Sequence, residues 1–360
     1  MHKLPLQLNT VINSECWTFI RTSIIETLPF GMEWMCNNLA MSTKQDGCII
    51  FGVHEKPYTL SHYDELLEIN SVDWRNVKND DIIKHITDSL DNQTYISILS
   101  YMPLIYGYES ETIEDDDFHD YIVYGYDTDK QCILMALFDS KAGFLPREIP
   151  YDTFRRSYKI MTDYLRAHPD FALLQSRVNA FPITQMKAKP YQYPDGMFLC
   201  DSLNTIKEYI TPKKYLIEQY DDMQNVMDSY SGYSGLGCII GLINLLEKYF
   251  DSHETLKGMR ELYLTVKKIH ERHVLMERML RLMQKKLNIV SEIYIEMLDK
   301  YHNICESASV CFSLVMKFRL TGDEAVLHRM REIYAAMYRN EYLLLDDIYS
   351  FLRSSVQNVI

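Results

Sequence analysis

Clustered cysteine is missing from this chain. The eight cysteines stand singly at 16, 36, 48, 132, 200, 238, 305 and 311. Without a Cys-x-x-Cys pair there is no case for a disulfide framework or a structural zinc site, and reduced thiols in a cytoplasm are the expectation. A basic excess is missing too. Lys and Arg number 37 against 50 Asp and Glu, a formal net charge of −13, which is the wrong sign for a nucleic-acid backbone. No apolar run approaches the roughly 20 residues that cross a bilayer. The first twelve residues alternate apolar with polar and lack a signal-peptide core, so no membrane partner is expected. No fixed-period repeat is evident.

What is present is an ordinary globular composition, 47% hydrophobic over 360 residues, enough for two domains with separate cores. The first two hundred residues mix signals. Residues 14–27 read as a helix with Trp17, Ile20, Ile24, Ile25 and Leu28 on one side and Pro29 as its stop. A short buried strand is expected within 46–53, and a helix over 82–90 behind the acidic cap Asn79-Asp80-Asp81. Strand-like runs occupy 95–104, 118–126 and 131–138, the last two forming a hairpin across Asp127-Thr-Asp-Lys130. The acidic stretch 109–117 before that hairpin reads as a solvated loop, and another helix begins near Asp152 or Thr153.

Beyond residue 200 the spacing becomes helical. Helices are expected over 213–230, 235–250, 254–284, 287–319 and 322–356, with Thr211-Pro212 and Thr321-Gly-Asp-Glu324 as start signals. The expected fold is therefore α+β: a catalytic domain over 1–200 and an all-helical domain over 201–360.

Three residues carry chemistry. Cys16 falls in the first turn of a helix capped by Asn13 or Ser14, where unpaired amides and the helix dipole favour a thiolate. His119 opens one strand of the hairpin and Asp139 closes the other, so the hairpin brings them side by side. That set reads as nucleophile, base and orienter of a cysteine acyl-transfer site. Asp120 adjoins His119, but strand alternation points its side chain to the opposite face. Cys36 and Cys132 read as structural, and Cys48 as a distant second nucleophile.

Cys16-Trp-Thr-Phe19 followed by Ile24-Ile-Glu26 resembles the nucleophile helix of papain-like cysteine peptidases. Phe118-His-Asp-Tyr-Ile-Val-Tyr-Gly-Tyr-Asp127 resembles their histidine strand, and Ile133–Ser140 with Gly143-Phe144 and Ile149–Phe154 is similar to the C39-like branch. With a helical C-terminal part, the nearest resemblance is to the butirosin biosynthesis protein H family. That resemblance spans about residues 9–160. It implies an acyltransferase of peptide or aminoglycoside antibiotic biosynthesis that moves an acyl or aminoacyl group from a carrier-protein thioester, through Cys16, to an amine. The implied partners are an acyl or peptidyl carrier protein, whose phosphopantetheine is the donor arm, and a small-molecule amine. No resident cofactor or metal is expected, and a homodimer is admitted. The sequence departs from the papain-like pattern at the oxyanion glutamine, about six residues before the cysteine. Thr10 stands there, with Gln7, Asn9 and Asn13 as neighbouring amides and Asn9 as the substitute. A cysteine peptidase or amidase, and a silent carrier- or peptide-binding protein, are the alternatives.

The remaining features have plainer readings. His270 and His273 share a helix face but lack the carboxylates of a bundle metal site. The glycines from 232 to 241 lack a preceding strand and a following Lys-Ser/Thr, so close packing is expected there rather than a phosphate loop. Met276, Met279 and Met283 read as core filler. Arg155-Arg156 and Lys213-Lys214 are basic pairs that could face an acidic carrier or simply solvent.

Overall fold

The computed structural model describes residues 1–43, 49–53, 63–108, 110–139, 143–171, 182–211, 214–220, 226–252 and 257–357. In chain order the first part runs β1 (His2–Lys3), α1 (Cys16–Ile25), α2 (Gly31–Asn38), β2 (Leu39–Thr43), β3 (Ile49–Val53) and β4 (Leu67–Ser71). It continues α3 (Ile82–Asp91), β5 (Thr94–Tyr101), α4 (Met102–Tyr106), β6 (Phe118–Asp127), β7 (Cys132–Asp139), β8 (Gly143–Pro150), α5 (Tyr151–Ala167) and β9 (Ile183–Ala188). The rest is α6 (Asp195–Ile210), β10 (Lys214–Tyr220), β11 (Val226–Tyr233), α7 (Gly237–Ser252), α8 (Lys257–Lys286), α9 (Glu292–Thr321) and α10 (Glu324–Gln357). The fold is mixed α+β.

Two compact units emerge, one of Met1–Gly31 with Tyr58–Tyr191 and the other of Met32–Pro57 with Gln192–Ile360. The expected division at 200 would have fallen inside α6, and the second unit is discontinuous. Its early segment is drawn in by apolar burial and specific bonds. Trp34, Met35 and Cys36 are fully buried, Cys36 Sγ reaches Leu275 O at 3.7 Å, and Asn37 Nδ2 donates to Phe198 O at 3.3 Å. No local pattern announces such a distant partnership.

The first unit is built on an antiparallel sheet ordered β4-β9-β5-β6-β7-β8, with β1 joined to β6. Helix α1 packs on β6, and α3 and α5 pack on β5. The β6–β7 hairpin forms as the sequence reads, its turn held by Asp127 Oδ1, which accepts from the amides of Asp129 and Lys130 at 3.0 and 3.2 Å. Strands β4, β8 and β9 were not expected. β8 carries Pro146 and Pro150 in its Gly143–Pro150 span, residues that disguise an edge strand. Helix α5 is capped at Pro150 rather than at Asp152 or Thr153.

The second unit is not all-helical. Within the span expected as a helix over 213–230, Lys214–Tyr220 pairs antiparallel with Val226–Tyr233 as β10 and β11, with Ile217 opposite Tyr230. Tyrosines and β-branched residues there favour a pleated ribbon over a helix. Thr211 ends α6, its amide bonded to Glu208 O at 3.3 Å, instead of starting a helix; Pro212 and Lys213 lie outside the described residues. A second hairpin, β2–β3, belongs to this unit, while Cys48 lies outside the described residues. The α9–α10 junction is made by Gly322 at φ 65° and by Asp323, whose Oδ1 accepts from Ala325 N at 3.0 Å. Thr321 is therefore not the cap. Gly241 packs closely as expected: a Cβ there would stand 2.6 Å from Thr43 Cγ2. A strand does precede this glycine run, yet the amides of Gly235, Leu236 and Gly237 are spent on Met41 O, Tyr209 O and Ser234 O, leaving no phosphate cradle.

The core of this second unit contains Met276, Met279 and Met283, all fully buried. Among them lies a polar knot. Glu341 of α10 accepts from His273 Nε2 of α8 and from Tyr301 OH of α9, each at 2.9 Å, while His273 Nδ1 donates to Ile269 O at 2.7 Å. Both ring nitrogens face acceptors, so the imidazolium is the form the site holds. Burial alone depresses the His273 pKa; the Glu341 carboxylate outweighs it, and the result lies above 6.5. A raised folded pKa contributes stability that is complete below the unfolded value and is lost as pH rises through the folded one. Urea midpoints of the full chain should accordingly fall as pH rises above about 6.5, and His273→Gln should flatten that limb.

Gly31 is sterically required. A Cβ on Gly31 would sit 1.8 Å from Ile25 O, where the chain turns back after α1. Gly31→Ala should cost more than about 3 kcal/mol, read as a drop in the denaturation midpoint. An unchanged midpoint would refute this close approach.

Candidate active site

Helix α1 begins at Cys16 because Glu15 is still extended, with φ −127° and ψ 125°. Glu15, not Asn13 or Ser14, holds the cap position, and its Oε2 accepts from Thr18 Oγ1 at 2.9 Å. The first intrahelical bond runs from Phe19 N to Glu15 O at 2.8 Å. The amides of Cys16, Trp17 and Thr18 thus have no acceptor within the helix and form its positive end. Phe19, fully buried, stacks on Phe144 of β8 with ring centroids 3.4 Å apart, which pins the first turn against the sheet.

His119 is the second residue of β6 and pairs with Ser100 on β5. Its Nε2 lies 3.2 Å from Cys16 Sγ, across 103 residues of chain. Its Nδ1 lies 2.9 Å from the main-chain oxygen of Asp120. A carbonyl can only accept, so Nδ1 carries a proton and Nε2 presents its lone pair to the thiol. This is the tautomer a general base needs.

Nδ1, the atom that the Asp139 carboxylate was expected to hold, is engaged by the Asp120 carbonyl. Strand alternation argues against the Asp120 side chain but says nothing about its carbonyl, which lies within reach of the ring. Asp139 does close β7, where it pairs with Gly143 of β8. Its side chain lies outside the described residues, as does that of Trp17.

Asn9, the expected oxyanion donor, is solvent-exposed in a turn. Thr10 beside it is 2% exposed, and its hydroxyl is buried without a hydrogen-bond partner, an unspent donor at the position of the missing glutamine.

Several neighbours were not singled out from sequence. Tyr121, two residues along β6 from His119 and so on the same face, places its ring centroid 5.3 Å from the imidazole. Burial first, then the Tyr106 hydroxyl, pushes its pKa upward, and the nearby Cys16 thiol adds to the rise. Its proton is committed to Tyr106 OH at 3.3 Å, and Tyr106 in turn donates to Phe138 O at 2.6 Å. The i, i+2 spacing made Tyr121 discoverable. Arg21 of α1 is 4% exposed and lies 5.6 Å over the Tyr63 ring. Burial raises the Asp120 carboxyl pKa, opposed by its neighbours His119 and Arg21, and its Oδ1 is buried without a hydrogen bond. Arg21 and Asp120 thus act on one another through their charges, without an ion pair between them, a relation that no spacing rule reveals.

Chemically, the arrangement can take a proton from a thiol, hold it on an imidazole of fixed tautomer, and return it to a leaving group. Among the described residues, no three His, Cys, Asp or Glu side chains group as metal ligands, and no helix is long and apolar enough to cross a membrane. No protein-family model matches the chain, and no curated protein matches it at significance.

Proposed function

We propose that this protein is a cysteine acyltransferase whose first unit is papain-like and whose relatives are of the butirosin biosynthesis protein H type. The observation that carries the reading is the 3.2 Å approach of Cys16 Sγ to His119 Nε2, with the opposite ring nitrogen anchored on Asp120 O. In the proposed reaction the Cys16 thiol gives its proton to His119 and attacks the carbonyl carbon of a carrier-protein thioester. The carbon–sulfur bond to phosphopantetheine breaks, and that sulfur takes the proton from His119. The acyl-Cys16 thioester is then attacked by an amine; His119 removes the amine proton and returns it to the departing Cys16 sulfur. First-turn amides, with Asn9 or the unspent Thr10 hydroxyl, would bear the oxyanion.

An activated thioester demands less of that oxyanion site than a peptide bond does, which favours transfer over proteolysis here. The exposed rings of Tyr106 and Tyr108, both close to Tyr121, offer apolar surface to an acyl or pantetheine chain. Arg156 is exposed on α5, whereas Arg155 is tied to Asp152 at 2.9 Å; an acidic carrier would therefore meet Arg156 first. The protein would act in a cytoplasm, alongside peptide or aminoglycoside antibiotic assembly.

Incubation with an acyl thioester followed by intact-mass measurement tests the reading. The expected result is one acyl increment, mapped to the peptide that holds Cys16 and discharged by a primary amine. An increment that persists in Cys16→Ala, or no increment at all, would sink it. Steady cleavage of peptides or isopeptides would favour the hydrolase alternative.

A further inference from the structure

The second unit holds a small polar cavity that the proposed reaction leaves unused. Its volume is about 50 Å³, and its lining includes Arg272 of α8, Glu208 and Tyr209 of α6, Asn38 at the end of α2, Ala40 of β2 and Gly235. Arg272 is 2% exposed, and its Nε and Nη1 are buried without a hydrogen-bond partner. Its guanidinium lies 5.2 Å over the Tyr209 ring, which supports one face of the cation but satisfies none of its N–H groups.

Main-chain acceptors around the space are already engaged. Tyr209 O takes the Leu236 amide at 2.9 Å and Met41 O takes the Gly235 amide at 3.2 Å. Glu341, a fully buried carboxylate of this unit, is occupied by His273 and Tyr301. Asn37, also on the lining, has its amide committed to Tyr193 OH and Phe198 O and its oxygen to Ser202 Oγ. What remains is a buried cation on the lining of the space, two of whose nitrogens have no hydrogen-bond partner. Buried charges are normally paired, and a guanidinium fork matches a carboxylate in shape and charge.

We propose that this cavity binds the carboxylate group of a small monocarboxylic acid, with Arg272 as its counter-ion. Size and charge both select for it. In the same measure a single water occupies about 10–15 Å³, so the space takes a group of a few heavy atoms. Glu208 on the lining repels any anion, a dianion more strongly than a monoanion, which disfavours phosphate relative to a monocarboxylate. Ala40 leaves room where a larger side chain would fill the cavity.

The site is independent of Cys16 and is tested on the full chain. Thermal midpoints are recorded against sodium acetate, with ionic strength held constant by chloride, and in parallel against inorganic phosphate. Acetate should raise the midpoint saturably, with phosphate weaker. Arg272→Gln and Ala40→Leu should each weaken the acetate response at least tenfold, while Cys16→Ala leaves it intact. Ala40→Leu keeps the arginine and fills the space, so it decides the matter even if Arg272→Gln folds poorly. A midpoint indifferent to acetate, a response matched by phosphate, or one unchanged in Ala40→Leu would overturn the proposal.

Discussion

Alanine in place of His119 is expected to slow acylation of Cys16 by on the order of 10²–10⁴-fold, the span attributed to a positioned general base, and Cys16→Ala should abolish the adduct. The 3.2 Å contact and the tautomer imposed by Asp120 O make the imidazole the proton acceptor for this thiol. Without it, attack waits for spontaneous ionisation, so the rate of His119→Ala should climb with pH towards the ordinary thiol range, about 8.5, while the parent remains active below it. Alkylation of Cys16 by iodoacetamide at high pH provides the control for folding, since a correctly folded His119→Ala protein still reacts there. Equal acylation rates for parent and variant near neutrality would remove the dyad from the chemistry. Asp139→Ala separates the two orienting groups. With Nδ1 held by a main-chain carbonyl, the loss should be far smaller than that of His119→Ala; a loss as deep as that of His119→Ala would give the carboxylate the role first expected of it.

Glu341→Ala should produce the largest loss of stability, on the order of 3–5 kcal/mol. The substitution strands two groups together: the fully buried His273 imidazolium, which would lose its counter-ion, and the Tyr301 hydroxyl, which would lose its acceptor. Because Glu341, His273 and Tyr301 sit on three different helices, the damage reaches all of α8, α9 and α10. Glu341→Gln keeps an oxygen for one donor and should cost distinctly less. Denaturation midpoints of the two variants, compared with the parent at one pH, decide this: equal losses would mean that packing, not charge pairing, holds the knot.

How far the sequence carried depends on the range of the interaction involved. The hairpin around Asp127 was legible because turn chemistry and alternation act over a few residues. So were α3, the long helices of the second unit and the methionine core, all of which repeat their periodicity over many turns. The 213–230 segment was misread because apolar residues at mixed spacing satisfy both periods, and its cross-strand pairing decides between them. Strand β8 was missed because its prolines look like loop residues until a neighbour supplies hydrogen bonds on one edge only. The cap of α1 moved from Asn13 or Ser14 to Glu15, which changes the first turn by a residue yet leaves Cys16 at its start.

At the candidate site, the sequence by itself determined which side chains have the right chemistry: a thiol opening a helix, a histidine opening a strand, and a turn that orders β6 and β7. Only the tertiary structure decided that the thiol and the imidazole meet, since α1 packs on β6 while Phe19 stacks on Phe144 of β8. It also decided that a main-chain carbonyl holds the ring. Every residue carries such a carbonyl, so no residue type can announce the role. The same holds for Arg272 and for the return of residues 32–57 to the second unit. Burial and long-range contact are properties of the folded chain, and they turn ordinary residues into a counter-ion waiting for its partner.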